Sequence, residues 1–140
     1  MGRGTEALMA GFLLDTHIWL WMSITPRRLS RTVMRRLENP RASLWVSPVS
    51  LFEAEAAHRR GRLEDIGNFS DWVNDSFERF QIRSADLTRK VAMEARSYKL
   101  PNGDPADQMI VATARAYGLV LVTDDARIIE SQAVATLPNG

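Results

Sequence analysis

Short apolar runs alternate with helical patterns along this chain. Residues 12–14, 43–46 and 119–122 are apolar runs too short for a helix, and each is followed by Ser, Thr, Asp or Pro and then by a helical pattern. This alternation predicts strands that alternate with helices. Weaker strand candidates lie at residues 80–83 and 134–137. The pattern predicts an α/β fold with a mostly parallel central sheet and helices on both of its faces.

Helical spacing predicts the helices between these strands. Leu29, Val33 and Leu37 recur on one side of a helix, arginines fall on the opposite side, and Pro40 then ends it. A proline at the first helical position and a glycine after the last one are typical of helix ends. These signals predict four further helices, at residues 48–60, 69–79, 87–98 and 105–117.

The 140 residues suffice for one domain with one buried core. We expect a flexible extension at residues 1–10 and the domain itself at residues 11–140. The apolar stretch at residues 11–22 is interrupted by Asp15 and His17 and is shorter than the roughly 20 residues that span a bilayer. It therefore predicts neither a membrane span nor a signal peptide. The absence of cysteine excludes disulfides and thiolate chemistry and fits a cytoplasmic protein.

Basic charge is concentrated in one segment, although the net charge is only +1. Residues 24–63 contain nine arginines against three acidic residues, a local charge of +6. Such a concentration favours a surface that binds a polyanion. Arg28, Arg31 and Arg35 are the candidate contacts, and the alternative is a solvated helix face with no ligand.

Four acidic residues are expected to converge at one edge of the sheet. Asp15 follows the first strand and Asp125 follows the last main strand, while Glu53 and Asp107 lie near the starts of two helices. In an open parallel sheet these positions surround the crevice beyond the carboxyl ends of the strands. Taken singly, Asp15 and Asp125 are better explained as helix caps.

The helical positions of Glu53 and Asp107 favour a metal site. Glu53 is expected on the face that its helix buries, which also carries Val49, Phe52 and Ala56. Glu55 points elsewhere and has Arg59 four residues on, as in an ordinary surface pair. Asp107 shares its face with Ile110, Val111 and Ala114. An inward carboxylate without a partner protonates unless a cation compensates its charge.

Oxygen ligands of this kind suit Mg²⁺ or Mn²⁺, which would lower the pKa of bound water for phosphodiester hydrolysis. Other chemistries lack their signatures, since no Gly-x-Ser-x-Gly elbow and no phosphate-binding glycine loop occur. Zinc binding through His17 and His58 lacks any ligand spacing. A phosphatase with a nucleophilic Asp15 usually has a second acid two residues on, where this chain has His17.

Four segments in this order resemble the acidic motifs of the PIN-domain VapC toxins. They are LLDTH at residues 13–17, VSPVSLFE at 46–53, DPADQMIVATA at 104–114 and LVTDD at 121–125. The resemblance covers about residues 12–129 and implies that Asp15, Glu53, Asp107 and Asp125 are the catalytic, metal-binding acids. Each of the last two motifs contains a second aspartate, which leaves alternatives open. Asp104 is expected to cap the helix that carries Asp107 and to support the site. Asp124 exchanges roles with Asp125 if the preceding strand is one residue shorter.

The resemblance also implies a function and partners. It implies a metal-dependent endoribonuclease that cleaves single-stranded RNA, forms homodimers and is neutralised by an antitoxin encoded beside it. The apolar residues Ile18, Trp19 and Trp21 are candidates for the groove that holds the antitoxin, with plain core packing as the alternative. A catalytically silent nucleic-acid-binding or regulatory module with the same fold is the second functional hypothesis.

Overall fold

Five parallel strands form the centre of the fold in the computed structural model, which describes residues 11–100 and 103–140. The order across the sheet is β3-β2-β1-β4-β5, and every neighbouring pair is parallel. The strands are β1 (Gly11–Leu14), β2 (Ser43–Val46), β3 (Arg83–Ser84), β4 (Val120–Thr123) and β5 (Thr136–Pro138). The predicted α/β class with a parallel central sheet is therefore confirmed.

Seven α-helices and two 3-10 turns connect the strands within the described residues. The helices are α1 (Thr16–Ile24), α2 (Arg31–Leu37), α3 (Pro48–Arg59), α4 (Phe69–Arg79), α5 (Arg89–Glu94), α6 (Pro105–Tyr117) and α7 (Ala126–Ser131). The 3-10 turns are Pro26–Arg28 and Ala95–Ser97. Gly118 ends α6 with a left-handed backbone (φ 65°), which glycine adopts without a Cβ clash, so the predicted helix end is confirmed.

Two predicted elements differ most from the structure, whereas the strands expected at residues 119–122 and 134–137 are shifted by one or two residues. The strand expected at residues 80–83 is confined to Arg83–Ser84, because the chain is still closing helix α4 there: the Ile82 amide donates to the Phe77 carbonyl and Gln81 has a φ of 52°. The helix expected at residues 87–98 is shorter. Thr88 caps α5 through the Val91 amide, and after Glu94 the chain continues as a 3-10 turn.

The core has two parts, one on each face of the sheet. Leu13 and Leu121 pack against Ile110 and Val111 of α6, whereas Leu14 and Val122 belong to the cluster that includes α1. Side chains alternate between the two faces of a strand, so neighbouring residues of β1 and β4 enter different clusters. The central strands are thus buried on both faces, which confirms the prediction of helices on both sides.

The carboxyl ends of β1 and β4 meet at the edge where several helices begin. The Asp15 amide donates to the Val122 carbonyl at 3.0 Å, and Asp15 is also the N-cap of α1. Asp104 caps α6 and Asp125 caps α7 through their side-chain oxygens. Capping places these carboxylates at the carboxyl edge of the sheet, where a ligand crevice is expected in this class of fold.

Two predictions concern the rest of the chain. The flexible extension predicted for residues 1–10 lies outside the described residues. Among the described residues, no helix is both long and apolar enough to cross a membrane.

Candidate active site

One pocket of about 400 Å³ contains all four predicted acids. Asp15, Glu53, Asp107 and Asp125 line it together with Asp104, Asp124, Thr16, His17, Trp21 and Arg127. The acids come from four separate parts of the sequence and are brought together by the shared edge of the sheet. The structure therefore places every predicted acid of the site in one crevice.

Asp15 is held by hydrogen bonds at both carboxylate oxygens. The Thr16 amide donates to Oδ1 at 2.9 Å, and the Thr123 hydroxyl donates to Oδ2 at 2.7 Å. Burial nevertheless raises the pKa of Asp15, outweighing these hydrogen bonds. The fixed side chain is a half-buried acid whose charged form is costly without a nearby cation.

Glu53 is connected to a pair of buried hydroxyls. The Thr16 hydroxyl lies 2.5 Å from Glu53 Oε1 and 2.8 Å from Ser50 Oγ. A threonine hydroxyl has one hydrogen, so the Thr16 hydroxyl is a donor shared between Glu53 Oε1 and Ser50 Oγ. Burial raises the pKa of Glu53, and the charges of Asp15 and Asp104 raise it further.

The predicted buried face of α3 is partly wrong. Phe52, which was expected on that face with Val49 and Ala56, is 79% exposed, whereas Ser50 and Ala54 are the buried residues of α3. Helix α3 contacts both α1 and α6, and Phe52 lies on its exposed side. The expected contrast with Glu55 is confirmed, because Arg59 Nε lies 2.7 Å from Glu55 Oε1 in an exposed pair.

Asp107 also has a strongly altered acidity. It lies one turn before Ile110 and Val111 and two turns before Ala114, and all three are buried as predicted. Burial raises the pKa of Asp107 from 3.8 to about 7, and the charges of Asp104, Asp15, Asp125 and Glu53 add to the effect. Mutual repulsion therefore links the acids of the pocket electrostatically.

Asp125 differs from the other three acids because it has a cationic partner. Burial acts to raise its pKa, but the hydrogen bonds and charge of Arg127 together hold the pKa below its ordinary value. Arg127 Nε lies 3.3 Å from Asp125 Oδ1, and Arg127 itself lines the pocket. The neighbouring Asp124 is exposed at the rim.

The carboxylates are near one another without forming a finished ligand cage. Among the described residues, no three Asp, Glu or His side chains are arranged as a ready metal-binding group. Several of their oxygens are instead engaged by Thr16, Thr123 and Arg127. Mg²⁺ commonly uses only one or two carboxylates and retains waters, so this arrangement suits it better than a cation that needs a protein cage.

Comparison with known proteins identifies the family. The sequence pattern of the PIN domain matches residues 12–133. The chain belongs to the PIN-domain family. A curated relative, ribonuclease VapC22 of Mycobacterium tuberculosis, is 34% identical over 123 residues, or 86% of this chain and 91% of the relative. This PIN domain therefore groups with the VapC ribonucleases, as its four acidic motifs predicted.

Solved structures share the fold of this PIN domain at low sequence identity. VapBC2 of Rickettsia felis, bound to a promoter DNA fragment, has a TM-score of 0.65 at 14% identity and covers 91% of this chain and 98% of its own. FitAcB of Neisseria gonorrhoeae has a TM-score of 0.56 at 22% identity and covers 91% of this chain and 97% of its own. Both similarities support the PIN fold.

The predicted arginines occupy different positions around the PIN domain. Arg31 and Arg35 are exposed on α2, whereas Arg28 lies in the preceding 3-10 turn and not on that helix. Pro26 starts this turn, and Ser30 begins α2 only after it as the N-cap. Arg28 stacks on Trp21, which lines the acidic pocket, so a contact links Arg28 to the site.

The predicted apolar groove is also wrong in part. Ile18 and Trp19 are fully buried in the core, where Trp19 donates from Nε1 to Ser76 Oγ at 3.0 Å. The core interpretation is therefore correct for both residues. Trp21 is half-buried and does line the pocket.

Sequence reasoning missed three polar supports of this PIN-domain site. Thr123 donates to Asp15, Thr16 donates to Glu53, and Ser50 in turn contacts the Thr16 hydroxyl. The sequence contains only weak signals of these supports. Thr16 directly follows Asp15, and Thr123 lies two residues before Asp125. Arg127 gave no signal, because its pairing with Asp125 depends on the turn that starts α7.

Proposed function

We propose that this PIN protein is a divalent-metal-dependent endoribonuclease and the toxin of a toxin–antitoxin pair. The observation that carries the proposal is the shared pocket of four acids, three of which have raised pKa values. Such a cluster is stable in its ionised form only with a cation nearby. The relative VapC22 is named a ribonuclease, which supports RNA as the substrate.

The donor chemistry fits Mg²⁺ or Mn²⁺. Asp15, Glu53, Asp107 and Asp125 would hold the ion through hard carboxylate oxygens. When bound, it would lower the pKa of a bound water and stabilise charge on the phosphodiester group. Asp104 and Asp124 occupy cap and rim positions beside these four acids.

Other side chains of this protein orient the carboxylates and contact the RNA. Thr123 and Thr16 orient Asp15 and Glu53, because each hydroxyl is buried and bonded to one carboxylate. Arg127 offers a guanidinium at the wall of the pocket, in the position to contact a phosphate oxygen. Arg28, Arg31 and Arg35 are proposed to bind the RNA backbone outside the pocket.

The proposed partners follow from the same family membership. One neighbour in fold, from Klebsiella pneumoniae, is a toxin–antitoxin complex by name, and another is VapBC2 of Rickettsia felis. We propose that a cognate antitoxin binds this protein, that it acts in the cytoplasm and that it forms a homodimer. The acidic pocket supports the first point, since an arginine of a partner pairs well with clustered carboxylates.

The test is cleavage of a single-stranded RNA by the purified chain with Mg²⁺, with Mn²⁺ and with a chelator. We expect cleavage with either metal and none in chelator, because the carboxylates provide no nucleophile of their own. Restoring metal to the chelated protein should restore the rate. Cleavage that persists in metal-free buffer would overturn the mechanism, and RNA binding without cleavage under every condition would favour the silent binding module.

A further inference from the structure

A second groove adjoins the acidic pocket. The Trp21 groove, about 430 Å³ in volume, is lined by His17, Leu20, Trp21, Ile24, Thr25, Arg27, Arg28, Ala57, Arg62, Leu63 and Glu64. His17 and Trp21 line both the groove and the acidic pocket. The two cavities therefore adjoin at these two residues.

The two cavities have opposite charge. Arg27, Arg28 and Arg62 line the Trp21 groove against the single acid Glu64. Among the described residues, none of these three arginines has a carboxylate within ion-pair distance. The acidic pocket repels phosphates, so a bound polyanion needs compensating charge beside it, and this groove provides that charge.

The wall shared by the two cavities is aromatic. The Arg28 guanidinium lies 5.2 Å from the Trp21 ring centroid, and the His17 ring lies 5.9 Å from it at a tilt of 50°. Trp21 is half-buried, and His17 and Arg28 are exposed. An aromatic face next to a guanidinium is the combination on which unpaired nucleobases stack.

Hydrogen bonds hold the backbone of the turn that carries Arg28. Asn139 Nδ2 donates to the Arg28 carbonyl at 3.1 Å, and Asn139 Oδ1 accepts from the Ser30 amide at 2.7 Å. These bonds tie the 3-10 turn to the chain after β5. A turn held in this way loses little conformational freedom on binding, which favours affinity.

We propose that the Trp21 groove binds the part of a single-stranded RNA that adjoins the cleaved phosphate. Trp21 stacks on a base, and Arg28 and Arg62 contact phosphates. The proposal rests on the proposed function, because it assigns the path of that same substrate. RNA is favoured over a protein segment by the excess of arginine, the stacked ring and the continuity with the acidic pocket.

The first test measures binding of a short fluorescent single-stranded oligoribonucleotide in chelator to the full chain carrying Asp107→Asn, which prevents cleavage. In this background we compare two double variants. The groove pair combines Arg28→Gln with Arg62→Gln, and the control pair combines Arg79→Gln with Arg83→Gln. The control pair removes the same charge, and its arginines stack on Phe80 and Trp45 away from the groove. Only the groove pair should weaken binding, by about tenfold at low salt, and reduce the salt slope by about 1.4.

The second test examines stacking with the same oligonucleotide and an abasic oligomer of equal length. Trp21→Leu should weaken binding of the first by about fivefold or more and leave binding of the abasic oligomer unchanged. Trp21→Phe should retain most of the difference between the two ligands. Circular dichroism tests whether both variants are folded. If Trp21→Leu does not fold, the comparison of the two arginine pairs tests the proposal.

Equal effects of the two arginine pairs, or a parent that does not bind the oligonucleotide, would overturn the proposal. So would groove variants that bind RNA normally but escape an inhibitory partner protein, since the groove would then hold protein. The proposed function fails separately, if the wild-type chain with Mg²⁺ does not cleave RNA. Normal cleavage by the Arg28→Gln, Arg62→Gln chain with unchanged KM would overturn the groove proposal alone.

Discussion

Asp107 shows how the fold makes an ordinary side chain unusual. Its pKa is raised to about 7 by burial and by the neighbouring acids. In the unfolded chain the same group loses its proton near 3.8. The folded state therefore binds more protons between these two values, and its stability falls as the pH rises through that interval.

We accordingly predict a pH-dependent stability for the metal-free protein. The free energy of unfolding should decrease as the pH rises from about 4 to about 7, and Asp107→Asn should flatten this dependence. The raised pKa values of Asp15 and Glu53 act in the same direction, so a smaller slope should remain. Urea unfolding at several pH values in chelator measures it, with the exposed Asp75→Asn as control. An unchanged slope in Asp107→Asn would contradict the electrostatic account.

At the residue scale, the sequence predicts the positions of the acids better than it predicts the hydroxyl groups that bond to them. Asp15, Glu53, Asp107 and Asp125 were predictable because strand ends and helix starts determine their positions. The hydroxyl bonds from Thr16 and Thr123 depend on side-chain rotamers and on contacts between residues 37 and 108 positions apart. Periodicity along one helix contains no information about such contacts.

At the scale of elements, strong local signals predicted the helices and strands correctly. The predicted strand at 43–46 and the predicted helix at 69–79 have the bounds of β2 and α4. The errors at β3 and α5 arise where local sequence is ambiguous and a turn decides the outcome. Phe52 is a similar error, because only the packing partner of α3 determines which side of that helix is buried.

The arginines of the 3-10 turn and α2 give a prediction about RNA binding. Changing Arg28, Arg31 and Arg35 together to Glu should weaken RNA binding and reduce its salt slope by about 0.7 for each phosphate that these arginines bind, without changing metal affinity. Binding assays over a range of salt concentrations measure this, with Arg83, Arg89 and Arg96 changed to Glu as a control elsewhere on the surface. A slope that stays the same in the first triple variant would show that these arginines form only a solvated surface.

At the scale of the whole molecule, the open acidic pocket indicates how the activity would be controlled. The pocket is lined by six acidic residues and one arginine, and its carboxylates attract cationic groups as well as metal. An antitoxin segment that carries arginine can therefore occupy the pocket in competition with Mg²⁺.

We predict that a small antitoxin protein is encoded beside this chain and that it suppresses the toxicity of the chain on co-expression. Substituting the arginine that enters the pocket should reduce inhibition more than it reduces binding, because the remaining contacts lie outside the pocket. Cleavage and affinity assays on the purified complex separate the two effects. A complex that cuts RNA at the rate of the free enzyme would contradict this account.

The central claim is that the converging carboxylates hold the metal that cleaves RNA, and α3 offers a matched pair to test it. Glu53 faces the pocket, whereas Glu55 pairs with Arg59 on the surface of the same helix. The measurement is the rate of single-stranded RNA cleavage with Mg²⁺ for Glu53→Gln and Glu55→Gln, both checked for folding by circular dichroism. We predict that Glu53→Gln loses more than about a hundredfold, beyond the range typical of residues that only support a metal ligand, and that Glu55→Gln matches the wild type. Equal rates for the two variants would contradict the account.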